Sequence, residues 1–236
     1  GTRPRRVSTA PSIASAPVAP NSSDMGTGLE QLLQFGKLVP VITIERVEDA
    51  VPLARALVAG GLRLLEITLR TMAAVDAARK IIAEVTDAIV GIGTVLTPED
   101  LQCAIDLGAK FALSPGATPS LLEAAAAGPI PFIPGVATSS ELMQGIGYGF
   151  NTFKFFPAVP SGGIPALKAL SGPFPRIKFC PTGGIGADNA AEWLALPNVV
   201  ALGGSWLTSA NDVRSGNWAA ITARAQHDLT RIGTSA

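Results

Sequence analysis

An α/β fold, a closed barrel of eight βα units, is the architecture that this 236-residue sequence predicts. Three observations carry that reading. Short β-branched or apolar runs recur eight times from Leu38 onward, their starts lie 21–26 residues apart, and the stretches between them carry helix punctuation. Such a period holds one strand, a turn, a helix of about ten residues and a second turn. A doubly wound sheet seldom needs eight evenly spaced strands, and nothing here supports the strand-order reversal it requires.

The candidate strands are Leu38–Ile44, Leu62–Thr68, Ala88–Ile92, Lys110–Leu113, Pro131–Ile133, Thr152–Phe156, Ile177–Cys180 and Val199–Leu202. Before the first of them, Leu29, Leu32, Leu33 and Phe35 form an apolar stripe that could close the barrel floor. Gly60-Gly61 ends the helix between the first two strands. Thr97-Pro98-Glu99-Asp100 supplies an N-cap, a proline at the first helical position and acids in the first turn, and Gly108 stops that helix. Thr118-Pro119 with Gly128, and the box Thr138-Ser139-Ser140-Glu141, repeat the scheme. Residues 27–236 read as a single barrel domain.

Residues 1–26 read differently, as a flexible leader. Arg3, Arg5 and Arg6 precede a Pro/Ser/Ala mixture with no acid before Asp24 and no periodic apolar face. The segment lacks the apolar core of a secretory signal; a processed or expression-derived extension and an organelle import segment both fit. Leaving it aside, the body holds 15 basic and 17 acidic residues, and the whole chain 18 of each. That balance gives no bulk attraction to nucleic acid or anionic membrane. Long uncharged stretches such as Ala124–Ser140, which is broken by Pro129, Pro131 and Pro134, do not reach the apolar length a membrane helix needs, so no membrane-spanning helix is expected. Cys103 and Cys180 have no CxxC spacing, read as two buried thiols, and suit the cytoplasm. With one histidine, His227, a His-based triad or multi-histidine metal site is not expected, and acid–base work falls to carboxylates, lysines or Tyr148.

A barrel of this kind works at the C-terminal ends of its strands, and few polar groups fall there. Lys154 sits in Phe153-Lys154-Phe155-Phe156. Pointing inward, it would be desolvated toward the neutral amine that attacks a ketone to form a Schiff base; otherwise it snorkels from an edge or pairs with an acid. Glu66, in Leu64-Leu65-Glu66-Ile67, poses the same choice: an inward proton carrier beside Lys154, or a partner for Arg63 or Arg70. Arg70 could fork onto a substrate carboxylate or serve a surface ion pair. Thr182-Gly183-Gly184 and Gly203-Gly204-Ser205 follow the last two strands, where glycine lets backbone N–H groups approach an anion; this pair of loops is the usual phosphate site of such barrels.

Several segments closely resemble the 2-keto-3-deoxy-6-phosphogluconate (KDPG) and 4-hydroxy-2-oxoglutarate (KHG) aldolase family. They are Val39-Pro40-Val41-Ile42, Glu66-Ile67-Thr68-Leu69-Arg70-Thr71, Gly91-Ile92-Gly93-Thr94-Val95, Ser114-Pro115-Gly116, Phe153-Lys154-Phe155-Phe156-Pro157, Phe179-Cys180-Pro181-Thr182-Gly183-Gly184-Ile185 and Gly203-Gly204-Ser205-Trp206. The resemblance runs in order over residues 27–232. It implies a TIM barrel of the class I aldolase type, a phosphorylated keto-acid substrate and a homotrimer, with no metal or other cofactor. It also implies that Lys154 is the Schiff-base lysine, Glu66 the proton-shuttling acid/base, and Arg70 with Thr94 the grip on the pyruvate carboxylate. Pro115 and Phe156 would shape the pocket, Thr182 would contact the rest of the substrate, and Gly183, Gly184, Gly204 and Ser205 would hold its phosphate. The expected reaction is cleavage of KDPG to pyruvate and glyceraldehyde 3-phosphate, with side activity on KHG. The galactonate epimer of that substrate, and a non-catalytic trimeric scaffold on the same fold, are the alternatives.

Overall fold

The computed structural model describes residues 22–233, with side-chain surroundings from Gly28 onward. Most of the expected leader, residues 1–21, lies outside the described residues. Its last part differs from expectation, because helix α1 (Ser22–Leu33) already begins there. A helix must span several turns to hold its apolar face in place, and that face is used: buried Leu29, with half-buried Leu32 and Leu33, packs on the apolar residues inside the barrel. Phe35 is not part of this floor. It is 42% exposed, with the Arg63 guanidinium 4.7 Å over its ring.

Nine strands and nine further helices follow among the described residues: β1 (Leu38–Ile42), α2 (Val47–Ala59), β2 (Leu64–Thr68), α3 (Ala74–Glu84), β3 (Ile89–Gly93), α4 (Pro98–Asp106), β4 (Phe111–Leu113), α5 (Pro119–Ala127), β5 (Phe132–Ile133), β6 (Gly135–Val136), α6 (Ser139–Gly147), β7 (Thr152–Phe155), α7 (Gly163–Ser171), β8 (Lys178–Phe179), α8 (Ala190–Leu194), β9 (Leu202–Gly204), α9 (Ala210–Ser215) and α10 (Trp218–Arg231). The nine strands make eight staves, because Pro134 splits one stave into β5 and β6. A proline there has no N–H for the ladder.

All pairings are parallel. One sheet runs β5-β4-β3-β2-β1-β9 and the other β6-β7-β8. The chain itself joins β5 to β6, and bridges Phe179–Val199 and Thr182–Gly203 join β8 to β9, so the ring closes. The last strand lies later than the sequence pattern places it. Glycines 203 and 204 are poor strand formers, yet Leu202, Gly203 and Gly204 pair with Leu38, Val39 and Pro40.

The helix signals correspond to real ends. Thr97 and Thr138 form reciprocal capping boxes with Asp100 and Glu141, and Thr118 Oγ1 accepts from the Leu121 amide. Strand alternation then sorts the side chains: Phe153 and Phe155 of β7 enter the core between barrel and helices, whereas Leu64, Phe111, Leu113 and Ile133 fill the barrel itself.

Candidate active site

Lys154 is the inward residue between Phe153 and Phe155, and the same alternation on β2 turns Glu66 inward between Leu65 and Ile67. The two meet. Lys154 Nζ donates to Glu66 Oε1 at 2.9 Å, with side-chain exposures of 3% and 1%. Lys154 therefore points inward and does not snorkel, though it does pair with an acid, and Glu66 pairs with neither Arg63 nor Arg70. Arg63 donates instead to the Asp87 carbonyl. The half-buried Phe156 ring, its centroid 5.5 Å from Lys154 Nζ, presents a π-face to the cation.

Below the pair, a cavity of about 30 Å³, room for one water, separates Glu66 and Thr182 from the apolar floor. Cys180 lines it. Burial pushes the Cys180 thiol up to about 12; the Lys154 charge opposes that shift and the Glu66 charge adds to it. Cys180 is therefore a neutral group beside the ion pair. Sequence reasoning gave it no place in the site, and only its inward register in the eight-stave barrel puts it there. Cys103, expected to be buried, is half-exposed. It lies on the amphipathic helix α4, whose buried residues are Leu101 and Ala104.

Arg70, just past β2, is exposed and donates from Nε to Thr94 Oγ1 at 3.0 Å. It makes no ion pair among the described residues. Thr94 holds φ at +58°, a left-handed conformation that is strained for a β-branched residue. The outlier falls at the end of β3, beside the mouth, and turns its hydroxyl to the arginine. Pro115 is half-buried in the turn after β4. That turn lies against β6: Ser114 Oγ accepts from the Gly135 amide, and a Cβ at Gly135 would come within 2.2 Å of the Pro115 backbone.

The Thr182–Gly203 bridge sets the two diglycine turns side by side. Gly203 leaves room for Thr182, since a Cβ there would sit 2.2 Å from Thr182 Oγ1. Gly183 and Gly184 need glycine for their backbone, with φ of +103° and +76°. Among the described residues no protein acceptor takes up the N–H of Gly183, Gly184 or Ser205. Gly204 stands apart from these: it is buried in β9, and its missing side chain makes space for the Trp206 ring. Trp206 is in turn tied to α10 through Nε1 and Asp228 Oδ2 at 2.8 Å, which holds the Ser205 turn in place.

The site thus gathers a buried amine on a carboxylate, an arginine at the mouth, and a group of free backbone amides. Among the described residues no three His, Cys, Asp or Glu side chains converge as a metal site would need.

Comparison with known proteins agrees with this chemistry. The profile of a family described as "Aldolase: KDPG and KHG aldolase" matches residues 29–224. The chain is 55% identical, over 200 residues, to the 2-dehydro-3-deoxy-phosphogluconate aldolase of Dickeya dadantii, covering 85% of this chain and 94% of that protein. It is 54% identical over 196 residues to the KHG/KDPG aldolase of Escherichia coli, covering 83% and 92%. Among solved structures it is similar to the KDPG aldolase of Legionella pneumophila, which holds pyruvate as a covalent carbinolamine intermediate. That match has a TM-score of 0.81 and 49% identity over 83% of this chain and 95% of the other.

Proposed function

Because the chain belongs to the KDPG and KHG aldolase family, we propose that it cleaves 2-keto-3-deoxy-6-phosphogluconate to pyruvate and glyceraldehyde 3-phosphate through a Schiff base on Lys154, with side activity on 4-hydroxy-2-oxoglutarate. The observation that carries this reading is the buried 2.9 Å contact between Lys154 and Glu66 inside the barrel.

The mechanism follows from the two groups. Transfer of one proton from Nζ to Glu66 leaves a neutral amine, which attacks the C2 ketone. The carbinolamine loses its hydroxyl as water, with Glu66 returning the proton, and the iminium forms. Glu66, again a carboxylate, takes the C4 hydroxyl proton as the C3–C4 bond breaks; the bond's electron pair moves through C3 to the iminium nitrogen, and glyceraldehyde 3-phosphate departs. The remaining enamine is protonated at C3, and water releases pyruvate from Lys154. The iminium is the electron sink, so the route asks for no metal. Arg70 with Thr94 holds the carboxylate, Pro115 and Phe156 wall the reacting carbons, Thr182 meets the aldehyde portion, and the amides of Gly183, Gly184 and Ser205 receive the phosphate, with Gly204 seating their turn.

The relatives of 54–55% identity support the gluconate substrate over its galactonate epimer; the ratio of turnover rates on the two compounds tests this. The assembly is a homotrimer in the cytoplasm. Met72 and Leu96, fully and 54% exposed after the neighbouring strands β2 and β3, are apolar surface that a subunit contact would cover. Light scattering tests the trimer. Among the described residues no helix is long and apolar enough to cross a membrane.

Pyruvate with borohydride tests the chemistry. One reduced pyruvyl unit per chain should appear on Lys154, and Lys154→Ala should abolish it. Glu66→Gln should lower kcat by about 10²–10⁴ while adduct formation slows without vanishing. An adduct on another lysine, or activity lost to a chelator, overturns the reading.

A further inference from the structure

We infer that Gly93 is a positioning residue of this reaction, acting through Glu66: the side chain absent at Gly93 is the space into which the Glu66 carboxylate folds to reach Lys154. The inference rests on the proposed role of Glu66 as the proton carrier.

Strand β3 runs Ile89-Val90-Gly91-Ile92-Gly93, with Val90 and Ile92 in the outer core and Ile89 inside the barrel, so Gly91 and Gly93 also face inward. Its register on β2 sets Gly91 beside Glu66 and Gly93 beside Thr68. A Cβ at Gly91 would lie 2.2 Å from the Phe111 ring, and one at Gly93 would lie 2.0 Å from Glu66 Oε1 and 2.6 Å from Glu66 Cγ. The two glycines therefore open one trough along the inner wall, which Phe111 fills at Gly91 and Glu66 at Gly93. Backbone conformation does not explain Gly93, because it is absent from the residues with positive φ. Gly93 closes β3 and pairs with Thr68, and glycine in a strand often marks the close approach of another group, here the Glu66 carboxylate.

Glu66 has little freedom to yield. It is 1% exposed, Oε1 is held by Lys154, and Oε2 is buried with no hydrogen-bond partner among the described residues. A methyl group at Gly93 would drive Oε1 back by about 1 Å, enough to break the contact with Nζ. Lys154, on the other side of the contact, would keep its own place on β7.

The two functions can be read separately. Borohydride trapping reads the amine of Lys154. Exchange of the pyruvate methyl hydrogens in deuterated water reads Glu66: the pyruvyl iminium loses a methyl proton to the carboxylate, the C–H pair forms the C2–C3 double bond while the C=N pair moves to nitrogen, and the enamine takes back a deuteron. Gly93→Ala should slow methyl exchange by about 100-fold, as a displacement near 1 Å does, while still giving one trapped adduct on Lys154. Glu66→Asp shortens the carboxylate side chain, so Gly93→Ala/Glu66→Asp should exchange faster than Gly93→Ala and no slower than Glu66→Asp. Exchange by Gly93→Ala within threefold of the parent, or losses from the two substitutions that simply multiply, would overturn the inference. If Gly93→Ala does not fold, the comparison moves to the melting temperature without the carboxylate. Gly93→Ala/Glu66→Ala should then melt with Glu66→Ala, and a double variant that still fails to fold refutes Glu66 as the group obstructed. Absence of any Lys154 adduct in the unsubstituted protein would sink the proposed function instead, while the melting comparison still reads the contact between Gly93 and Glu66.

Discussion

Glu66 Oε1 lies 2.9 Å from Lys154 Nζ across the inside of the barrel, although 88 positions separate the two residues and both are buried. Each is the main counter-charge of the other. Taking two charges from water is costly, and removing one partner leaves the other unpaired in a dry interior. The pair is thus a poor candidate for a source of stability, which accords with the catalytic use proposed for it.

A stability cycle checks this. Lys154→Met should destabilise the protein by about 3 kcal/mol against urea, and adding Glu66→Gln should recover most of that loss. Additive losses in urea unfolding would mean that the two charges do not depend on each other.

At the mouth, Arg70→Lys keeps the charge but removes the planar fork and the Nε donor that meets Thr94. KM for the keto acid should rise by about tenfold or more with a smaller change in kcat, and Thr94→Val should move KM in the same direction. Steady-state kinetics on both variants decides the matter.

The link between Trp206 and Asp228 predicts a coupled pair. Trp206→Phe leaves the Asp228 carboxylate, which is 4% exposed, without its indole donor, at a cost of about 1–3 kcal/mol. Competition by inorganic phosphate should weaken as well, because the Ser205 turn loses its anchor. If the melting temperature falls while the inhibition constant for phosphate does not move, the link steadies the fold and not the anion site.

Cys180 gives a pH prediction. Its thiol keeps its proton to about 12 in the folded protein, against an ordinary value of 9.0, because burial disfavours the thiolate. The folded state then binds more protons than the unfolded state above pH 9. Stability from this group is complete below about pH 9 and falls as pH rises toward 12. Urea unfolding at pH 8 and pH 10.5 should show a steeper loss for the parent than for Cys180→Ala. Iodoacetamide at pH 8 should label Cys103 and spare Cys180 until the protein unfolds.

Much of this architecture is legible in the amino-acid sequence. The eight-fold repeat, the threonine caps of α4, α5 and α6, and the apolar face of Leu29, Leu32 and Leu33 follow from local chemistry, because capping and periodicity act within a few residues. What escapes depends on distant partners. Nothing near Glu66 in sequence chooses Lys154 over Arg63 or Arg70; the barrel's register does. The same holds for β9, where pairing with β1 overrides the weak strand preference of its glycines, and for Gly204, whose empty side is filled by Trp206. Gly93 reads locally as a turn residue, and its use appears only with the carboxylate of the neighbouring strand in place.

The seam between β1 and β9 has a consequence for how the protein is made. A chain synthesised in order, at about 5–20 residues per second, offers the edge of β1 on the order of ten seconds before β9 exists to cover it. The helix that packs on α2, the helix following β1, comes later still: α10 lies so close on the end of α2 that a Cβ at Gly60 would sit 2.5 Å from Ala225 Cβ, and Thr222 Oγ1 donates to the Ala56 carbonyl. Until then β1 has one bare edge, the kind of surface to which a strand of another chain can add. A ribosome that stalls before Leu202 would release a product with Lys154 and Glu66 both present and its sheet open to aggregation.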